Sequence, residues 1–224
     1  MQPLQKPQKR FRQKNRIMIV LTVEEYRKNR YKVCMDDGTH LILYKGEVRH
    51  YSIKEGMELP ADVYKELFYE VVGKRAKKRA LYLLEKMDRT EKGLTDKLRE
   101  NEYPKELIDE AVAYVKRYHY IDDMRYAKNY ISYHQTGRSR ARIRQELMRK
   151  GIPTGILDAA LEESYADSDE EQELIMIAKL LEKKGYDPLE SDIKQKQKIY
   201  GYLMRKGFRS DDILRAMKSS DYLT

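Results

Sequence analysis

Apolar residues recur along this chain with two different periods, and the change between them falls near residue 60. Before it, Ile17-Met18-Ile19-Val20-Leu21-Thr22-Val23 is β-branched and apolar, and Tyr31-Lys32-Val33-Cys34-Met35 alternates. Asp36-Asp37-Gly38 is a hairpin turn signal. Leu41-Ile42-Leu43-Tyr44 comes next, then Lys45-Gly46 as a second turn, then Val48 and Tyr51. The pattern predicts a small β-meander. A module of this size is too small to be stable alone and is expected to pack on the helices C-terminal to it.

From Pro60 the spacing is helical. Val63, Leu67 and Val71, then Ala80, Leu83, Leu84 and Met87, predict a long helix with Gly73 as a weak point or kink. Beyond it the chain repeats. Leu98-Arg-Glu-Asn-Glu-Tyr103-Pro104, with Ile108 and Val112, matches Leu147-Met-Arg-Lys-Gly-Ile152-Pro153, with Leu157 and Leu161, at an offset of 49 residues. A third copy, Leu203-Met-Arg-Lys-Gly-Phe208 with Ile213 and Met217, lies 56 residues further on. Gly151 and Gly207 are what a helix C-terminus needs, because glycine takes positive φ without steric cost. Asn101-Glu102 replaces Lys-Gly in the first copy, so a different cap is expected there. A further helix precedes each copy: Ala80 to Met87, Tyr126 to Tyr133, Leu174 to Leu181.

The fold class expected is therefore mainly α: tandem three-helix repeats forming an elongated, curved array, preceded by a small N-terminal β-meander. The boundaries are a basic arm over 1–16, expected to be disordered, a β-module over 17–59, a linking helix and first repeat over 60–121, a second repeat over 122–166 and a third over 167–224.

Composition adds charge to this picture. Of 224 residues, 37% are charged and 41% hydrophobic, and the net charge is +9. That excess is patchy. The arm carries +6, residues 74–79 carry +5, residues 138–150 carry +5 and residues 162–173 carry −7, which accounts for all of it. A basic excess calls for an acidic partner, either nucleic acid or a protein surface. No run of about 18 apolar residues exists to cross a membrane. The N-terminus lacks the apolar region of a secretory signal. The single cysteine, Cys34, suits a reducing cytoplasm and a small half-buried position.

Catalytic and metal patterns are missing. Neither a Gly-x-x-x-x-Gly-Lys-(Ser/Thr) loop nor a Gly-x-Gly-x-x-Gly fingerprint occurs. Gly137-Arg138-Ser139-Arg140-Ala141 misses a nucleophile elbow by one residue and has no strand before it. His40, His50, His119 and His134 lack metal-ligand spacing. Asp122-Asp123 and the Asp167-Ser168-Asp169-Glu170 cluster read as helix N-caps. The segment after Gly151 outlines a helix–turn–helix, but its charged positions, Asp158, Glu162 and Glu163, are acidic and would face phosphates.

Two basic stretches remain as candidate contacts. Arg138, Arg140, Arg142, Arg144, Arg149 and Lys150 stand against Glu146 alone. Like charges this close on a helix repel by tenths of a kcal/mol per i,i+4 pair. Phosphates, an acidic partner or intramolecular carboxylates would compensate them. The second stretch is Lys74, Arg75, Lys77, Lys78 and Arg79. Tyrosines cluster before the first stretch, among them Tyr126 and Tyr130, as core-edge residues or as contacts.

Taken together, these residues resemble a known family. Tyr120-Ile121-Asp122-Asp123-Met124-Arg125-Tyr126-Ala127 resembles the Tyr-(Ile/Leu)-Asp-Asp-x-x-(Phe/Tyr)-Ala motif of the RecX family. Gly137 followed by Ile143, Leu147 and Lys150-Gly151-Ile152 resembles a second signature, and Lys206-Gly207-Phe208 a third. The resemblance covers residues 75–220. It implies a non-enzymatic, cofactor-free regulator of the RecA recombinase, cytoplasmic and monomeric, acting in DNA repair, recombination and the SOS response. Such a protein lies in the groove of the RecA–DNA filament and depresses ATPase and strand exchange. DNA, single- or double-stranded and without sequence preference, is the second implied partner. A stand-alone nucleic-acid-binding helical repeat protein is the alternative. The contacts expected are Arg138, Arg140, Arg142, Arg144 and Lys150, supported by residues 74–79 and by Tyr126 and Tyr130.

Overall fold

The structure is a computed structural model, and it describes residues 17–166 and 170–218. The arm over 1–16 and the capping role expected of Asp167–Asp169 lie outside the described residues.

Four strands form one antiparallel sheet: β1 (Met18–Arg27), β2 (Arg30–Met35), β3 (His40–Tyr44) and β4 (Glu58–Leu59), in the order β3-β2-β1-β4. Asp37 and Gly38 turn β2 into β3 as the sequence predicts: Gly38 has φ +82°, and the Thr39 N–H donates to Asp37 Oδ1 at 2.8 Å. The sheet departs from a plain meander in two ways. Lys45-Gly46 opens a short helix, α1 (Lys45–His50), rather than a turn. Glu47 stabilises it by accepting the Tyr44 N–H at 2.7 Å. The chain then returns through β4 to the far side of β1.

The long helix is continuous but changes type. Residues α2 (Ala61–Lys65) lead into a π-helical stretch, Glu66–Gly73, and then into α3 (Lys74–Lys86). Phe68, Val72, Ala76 and Ala80 are all buried at a spacing of four. That spacing drifts around an α-helix of about 3.6 residues per turn, and the wider π turn takes up the excess. Gly73 is helical, with φ −62° and ψ −46°. A Cβ there would sit 3.3 Å from the Phe68 carbonyl and 3.4 Å from Leu107, so its role is close approach.

Three sets of three helices complete the chain: α3, α4 (Glu91–Glu100) and α5 (Lys105–Arg117); α6 (Asp123–His134), α7 (Arg140–Arg149) and α8 (Thr154–Ser164); α9 (Glu170–Glu182), α10 (Ile193–Arg205) and α11 (Ser210–Lys218). The fold is mainly helical, with three tandem three-helix domains behind a small sheet. By contacts the chain divides into two compact units. One holds the sheet, the chain up to Arg89 and Gly93–Ile121; the other holds Thr90–Lys92 and the chain from Asp122. The sheet and the first helix trio share one apolar core, which is why the β-module needs the helices. The second and third trios each have a core of their own, around Ile131, Ile143 and Leu147, and around Ile177, Leu203 and Ile213.

The second helix of each trio ends the same way. Ile152 donates to the Leu147 carbonyl at 3.1 Å, Phe208 to Leu203 at 3.4 Å and Tyr103 to Leu98 at 3.3 Å. Gly151 and Gly207 have φ +83° and +88°. The first copy does not use a different cap. Glu102 itself takes φ +61°, and its carboxylate is held by Lys32 at 2.6 Å and His40 at 3.2 Å. Partners far away in sequence therefore offset a backbone strain of about 1–2 kcal/mol. The Lys32 hydrogen bond outweighs burial and holds the Glu102 carboxyl below its ordinary range.

Within the second unit one pattern of contacts occurs twice. Thr90 Oγ1 donates to the Lys150 carbonyl at 2.7 Å, and Ser139 Oγ to the Gly207 carbonyl at 2.6 Å. In return, Asp123 accepts the Glu91 N–H at 2.9 Å and Glu173 accepts the Arg140 N–H at 3.0 Å. Each hydroxyl thus reaches a Lys-Gly step further along the chain, and a carboxylate further along the chain accepts the helix-start N–H next to it. A Cβ at Gly207 would lie 2.6 Å from Arg142 Cβ and 2.7 Å from Ser139 Oγ. Gly207→Ala is expected to destabilise the protein by about 2 kcal/mol or more, from strain plus displacement of the joint. Glu102→Gly is expected to be near neutral, relief of strain balancing loss of the ion pair. Thermal or urea unfolding of the two variants checks this contrast.

Candidate functional site

α7 begins at Arg140, two residues later than a helix running from Arg138. Ser139 is its N-cap, accepting the Arg142 N–H at 3.1 Å. It is buried, so it serves the joint between trios and offers no exposed nucleophile. Asp122 caps α6 by accepting the Arg125 N–H at 2.9 Å, as expected.

The arginines of this stretch separate into two groups. Glu146 gathers the first. Its Oε2 accepts from Arg138 at 2.5 Å and from the Tyr130 hydroxyl at 2.8 Å, and its Oε1 from Arg142 at 2.8 Å. Arg138 also donates to the Tyr130 hydroxyl at 3.0 Å. Arg144 pairs with Asp158. Intramolecular carboxylates thus compensate Arg138, Arg142 and Arg144, one of the three compensations open from sequence. Burial opposes the charge on Glu146, but the hydrogen bonds from Tyr130, Arg138 and Arg142 outweigh it and hold its carboxyl below the ordinary range. Burial and the neighbouring Arg138 push His134 down.

Arg140, Arg149 and Lys150 form the second group. All three are exposed. Among the described residues none of their side chains pairs with a carboxylate. Arg140 lies over the Tyr165 ring at 5.3 Å, and Lys150 over the rings of Tyr126 and Tyr130 at 5.7 and 5.2 Å. Tyr126 and Tyr130 stack at 6.4 Å. The surface is a cation set on aromatic faces, with Met148 and Tyr133 also exposed on these two helices. Such side chains suit phosphate and protein contacts alike.

The stretch at 74–79 lies in the other unit. Lys74 pairs with Glu70 at 3.0 Å and Lys77 with Glu110 at 3.4 Å. Arg75 pairs with Glu47, donates to the Ile42 carbonyl at 2.8 Å and lies 4.2 Å from the Tyr44 ring centre. It therefore ties α3 to β3 and α1. Lys78 is exposed, and Arg79 donates to Asn101 Oδ1 at 2.9 Å. Arg75, Lys78 and Arg79 line a cleft of about 400 Å³ together with Arg27 and Arg30, which sequence reasoning passed over. The only signal for those two was the pairing of basic residues around a two-residue turn, Lys28-Asn29. No group of three or more His, Cys, Asp or Glu arranged to hold a metal ion exists among the described residues. No helix among them is long and apolar enough to cross a membrane. Cys34 is free and half-buried, as expected.

A small sheet and a series of three-helix domains, with Lys-Gly steps at helix ends and cations on tyrosine faces, define a helical-repeat protein. Family models agree with this architecture domain by domain: the RecX first, second and third three-helix domains match residues 76–114, 122–161 and 170–217. Regulatory protein RecX of Caldanaerobacter subterraneus subsp. tengcongensis is 31% identical over 203 residues, covering 90% of this chain and 98% of the relative. Regulatory protein RecX of Clostridium perfringens is 30% identical, covering 91% of this chain and 97% of the relative. The chain belongs to the RecX family of regulatory proteins. Two crystal structures share the fold at 23% identity: a regulatory protein RecX, TM-score 0.57, covering 91% of this chain and 100% of that one, and RecX from Lactobacillus salivarius, TM-score 0.53, covering 65% and 94%.

The Glu146 cluster has a pH signature. A carboxyl lowered in the folded state contributes stability that is complete above its ordinary value of 4.5 and is lost as pH falls through the lowered value. Glu146→Gln is expected to reduce stability at pH 7 and to flatten the acid limb below pH 4.5. Urea unfolding of both proteins between pH 2 and 7 reads this out, and an unchanged acid limb would contradict it.

Proposed function

We propose that this protein regulates the RecA recombinase by binding along the groove of the RecA–DNA filament and depressing its ATPase and strand exchange. The observation that carries this reading is the exposed cation–tyrosine surface of α6 and α7, on a chain that aligns with regulatory proteins named RecX over nearly their whole length. A filament groove offers DNA phosphates and protein surface side by side, and Arg and Lys set on aromatic faces suit both. The protein acts without chemistry of its own and without a cofactor, as a monomer in the cytoplasm, in DNA repair, recombination and the SOS response.

The ion pairs of the fold favour a narrower set of contact residues. Arg138, Arg142 and Arg144 are held by Glu146 and Asp158, and Arg75 by Glu47. They shape the surface and hold its elements in place. Arg140, Arg149 and Lys150 provide the charge it offers outward, with the ring faces of Tyr126 and Tyr130 beneath Lys150.

Titrating the full chain into RecA–single-stranded-DNA filaments is expected to lower ATP hydrolysis. Arg140→Glu, Arg149→Glu and Lys150→Glu combined are expected to raise the concentration needed by at least about tenfold, the scale of one to two charge-assisted contacts. Thermal stability of the triple variant is expected to stay close to that of the parent. ATP hydrolysis unchanged at saturating protein would contradict the reading. Full activity of the triple variant would move the contact off α7.

A further inference from the structure

Arg27 and Arg30 face each other across the β1–β2 ladder. Like charges directly opposite in an antiparallel pair destabilise it. Among the described residues no carboxylate pairs with either. Each lies instead beside a tyrosine: Arg27 near the Tyr26 ring at 5.0 Å, Arg30 near the Tyr44 ring at 5.3 Å. A register shift between Glu25 and Arg27 accompanies the arrangement, leaving Tyr26 as the extra residue of a bulge. The fold thus accepts an unfavourable charge pair at the mouth of a cleft.

The opposite side of the cleft carries Lys78 and Arg79 from α3, again without carboxylate partners. Two acids also line it, and cations outside it engage both; Glu102 accepts in addition from Tyr26, within the lining. Glu100 is held by Lys97 at 2.6 Å and Glu102 by Lys32 at 2.6 Å, with His40 Nε2 3.2 Å away; none of these three residues lines the cleft. Of its basic residues only Arg75 is matched, by Glu47. Four cations therefore face the space uncompensated, beside the rings of Tyr26, Tyr44 and Tyr103. Tyr44 is 40% exposed, so a planar group can reach it.

Cations interleaved with accessible aromatic rings are the composition of a single-strand site, where backbone phosphates meet Arg and Lys and bases stack on tyrosine. No glycine lines the cleft. Many di- and triphosphate sites use the converging backbone N–H groups of a Gly-rich loop, and such a loop is missing from the lining. About 400 Å³ holds one nucleotide and no duplex. We propose that this cleft, formed by the β1–β2 hairpin and α3, is a sequence-independent site for a nucleotide of single-stranded DNA. The site is independent of the RecA reading, because the strand is offered to the free protein.

The test uses the full chain and a short fluorescein-labelled oligothymidylate, read by fluorescence anisotropy across a salt series. Arg27→Gln with Arg30→Gln is expected to weaken binding by about tenfold and to lower the slope of log K against log salt by about one to two. The same double variant is expected to melt at the parent temperature or above it, because it removes the opposed charges. Lys78→Glu, on an exposed helix face away from the ladder, is expected to weaken binding severalfold. Binding at parental strength in both variants would overturn the proposal. So would a loss of binding matched by a fall in melting temperature in both. Competition by ADP or ATP at concentrations comparable to the oligonucleotide would assign the cleft to free nucleotides and overturn the strand. An equal loss of affinity for a blunt duplex of the same length would overturn the single-strand assignment.

Discussion

The Ser139 hydroxyl sits in the interior with two partners, and both the helix it starts and the domain it meets depend on it. It accepts the Arg142 N–H that would otherwise be an orphan at the start of α7, and it donates to the Gly207 carbonyl at the end of α10. A buried hydroxyl without partners costs about 1–3 kcal/mol, so the second and third trios are held in the one register that satisfies it. Thr90 performs the corresponding contact on Lys150. Glycine at 151 and 207 obeys the same constraint. The backbone must turn with positive φ, and it must let Lys92 at one joint, and Arg142 and Ser139 at the other, come within reach. One motif, Lys-Gly-(Ile/Phe), therefore ends a helix, fills a core with its apolar residue and presents a carbonyl to a side-chain hydroxyl, that of Thr90 or Ser139.

Several cations among the described residues are paired internally, and the unpaired ones are what the surface offers outward. A run of basic residues on a short helix reads from sequence as a uniform patch. In the fold, a single carboxylate, Glu146, fixes Arg138 and Arg142 together with Tyr130, and Asp158 fixes Arg144. Half-buried pairs of this kind orient side chains, and the charge offered outward moves to Arg140, Arg149 and Lys150. The same division runs through residues 74–79, where Arg75 is a tie between helix and sheet and Lys78 stays free of carboxylates.

The repeats were legible because their period is carried by local chemistry: a leucine, a glycine at positive φ and an apolar residue next to it, at offsets of 49 and 56. Asp122 as a cap was legible for the same reason. Glu102 was not. A non-glycine residue in the left-handed region depends on Lys32 and His40, which only the folded sheet brings near. The contact from Arg142 to Glu146 spans four residues and is set by helix geometry. The contact from Arg138 spans eight and is not. Nor did the sequence reveal α1, whose six residues depend on Glu47 rather than on periodicity. The cleft stayed hidden because a bulge sets which side chains of β1 and β2 stand opposite one another.

The contacts repeated within the second unit make a direct claim about backbone amides. The Ser139 N–H donates to the Lys206 carbonyl at 3.2 Å, the Arg140 N–H to Glu173 and the Glu91 N–H to Asp123. Helix-start amides ordinarily exchange quickly, because they lack intrahelical partners. Residue-resolved amide hydrogen exchange on the full chain is therefore decisive. Protection of Glu91, Ser139 and Arg140 comparable to the core amides of α4 and α7, lost at Ser139 and Arg140 in Ser139→Ala, is the predicted result. Exchange of these three amides at the rate of exposed loops in the parent protein would contradict the account.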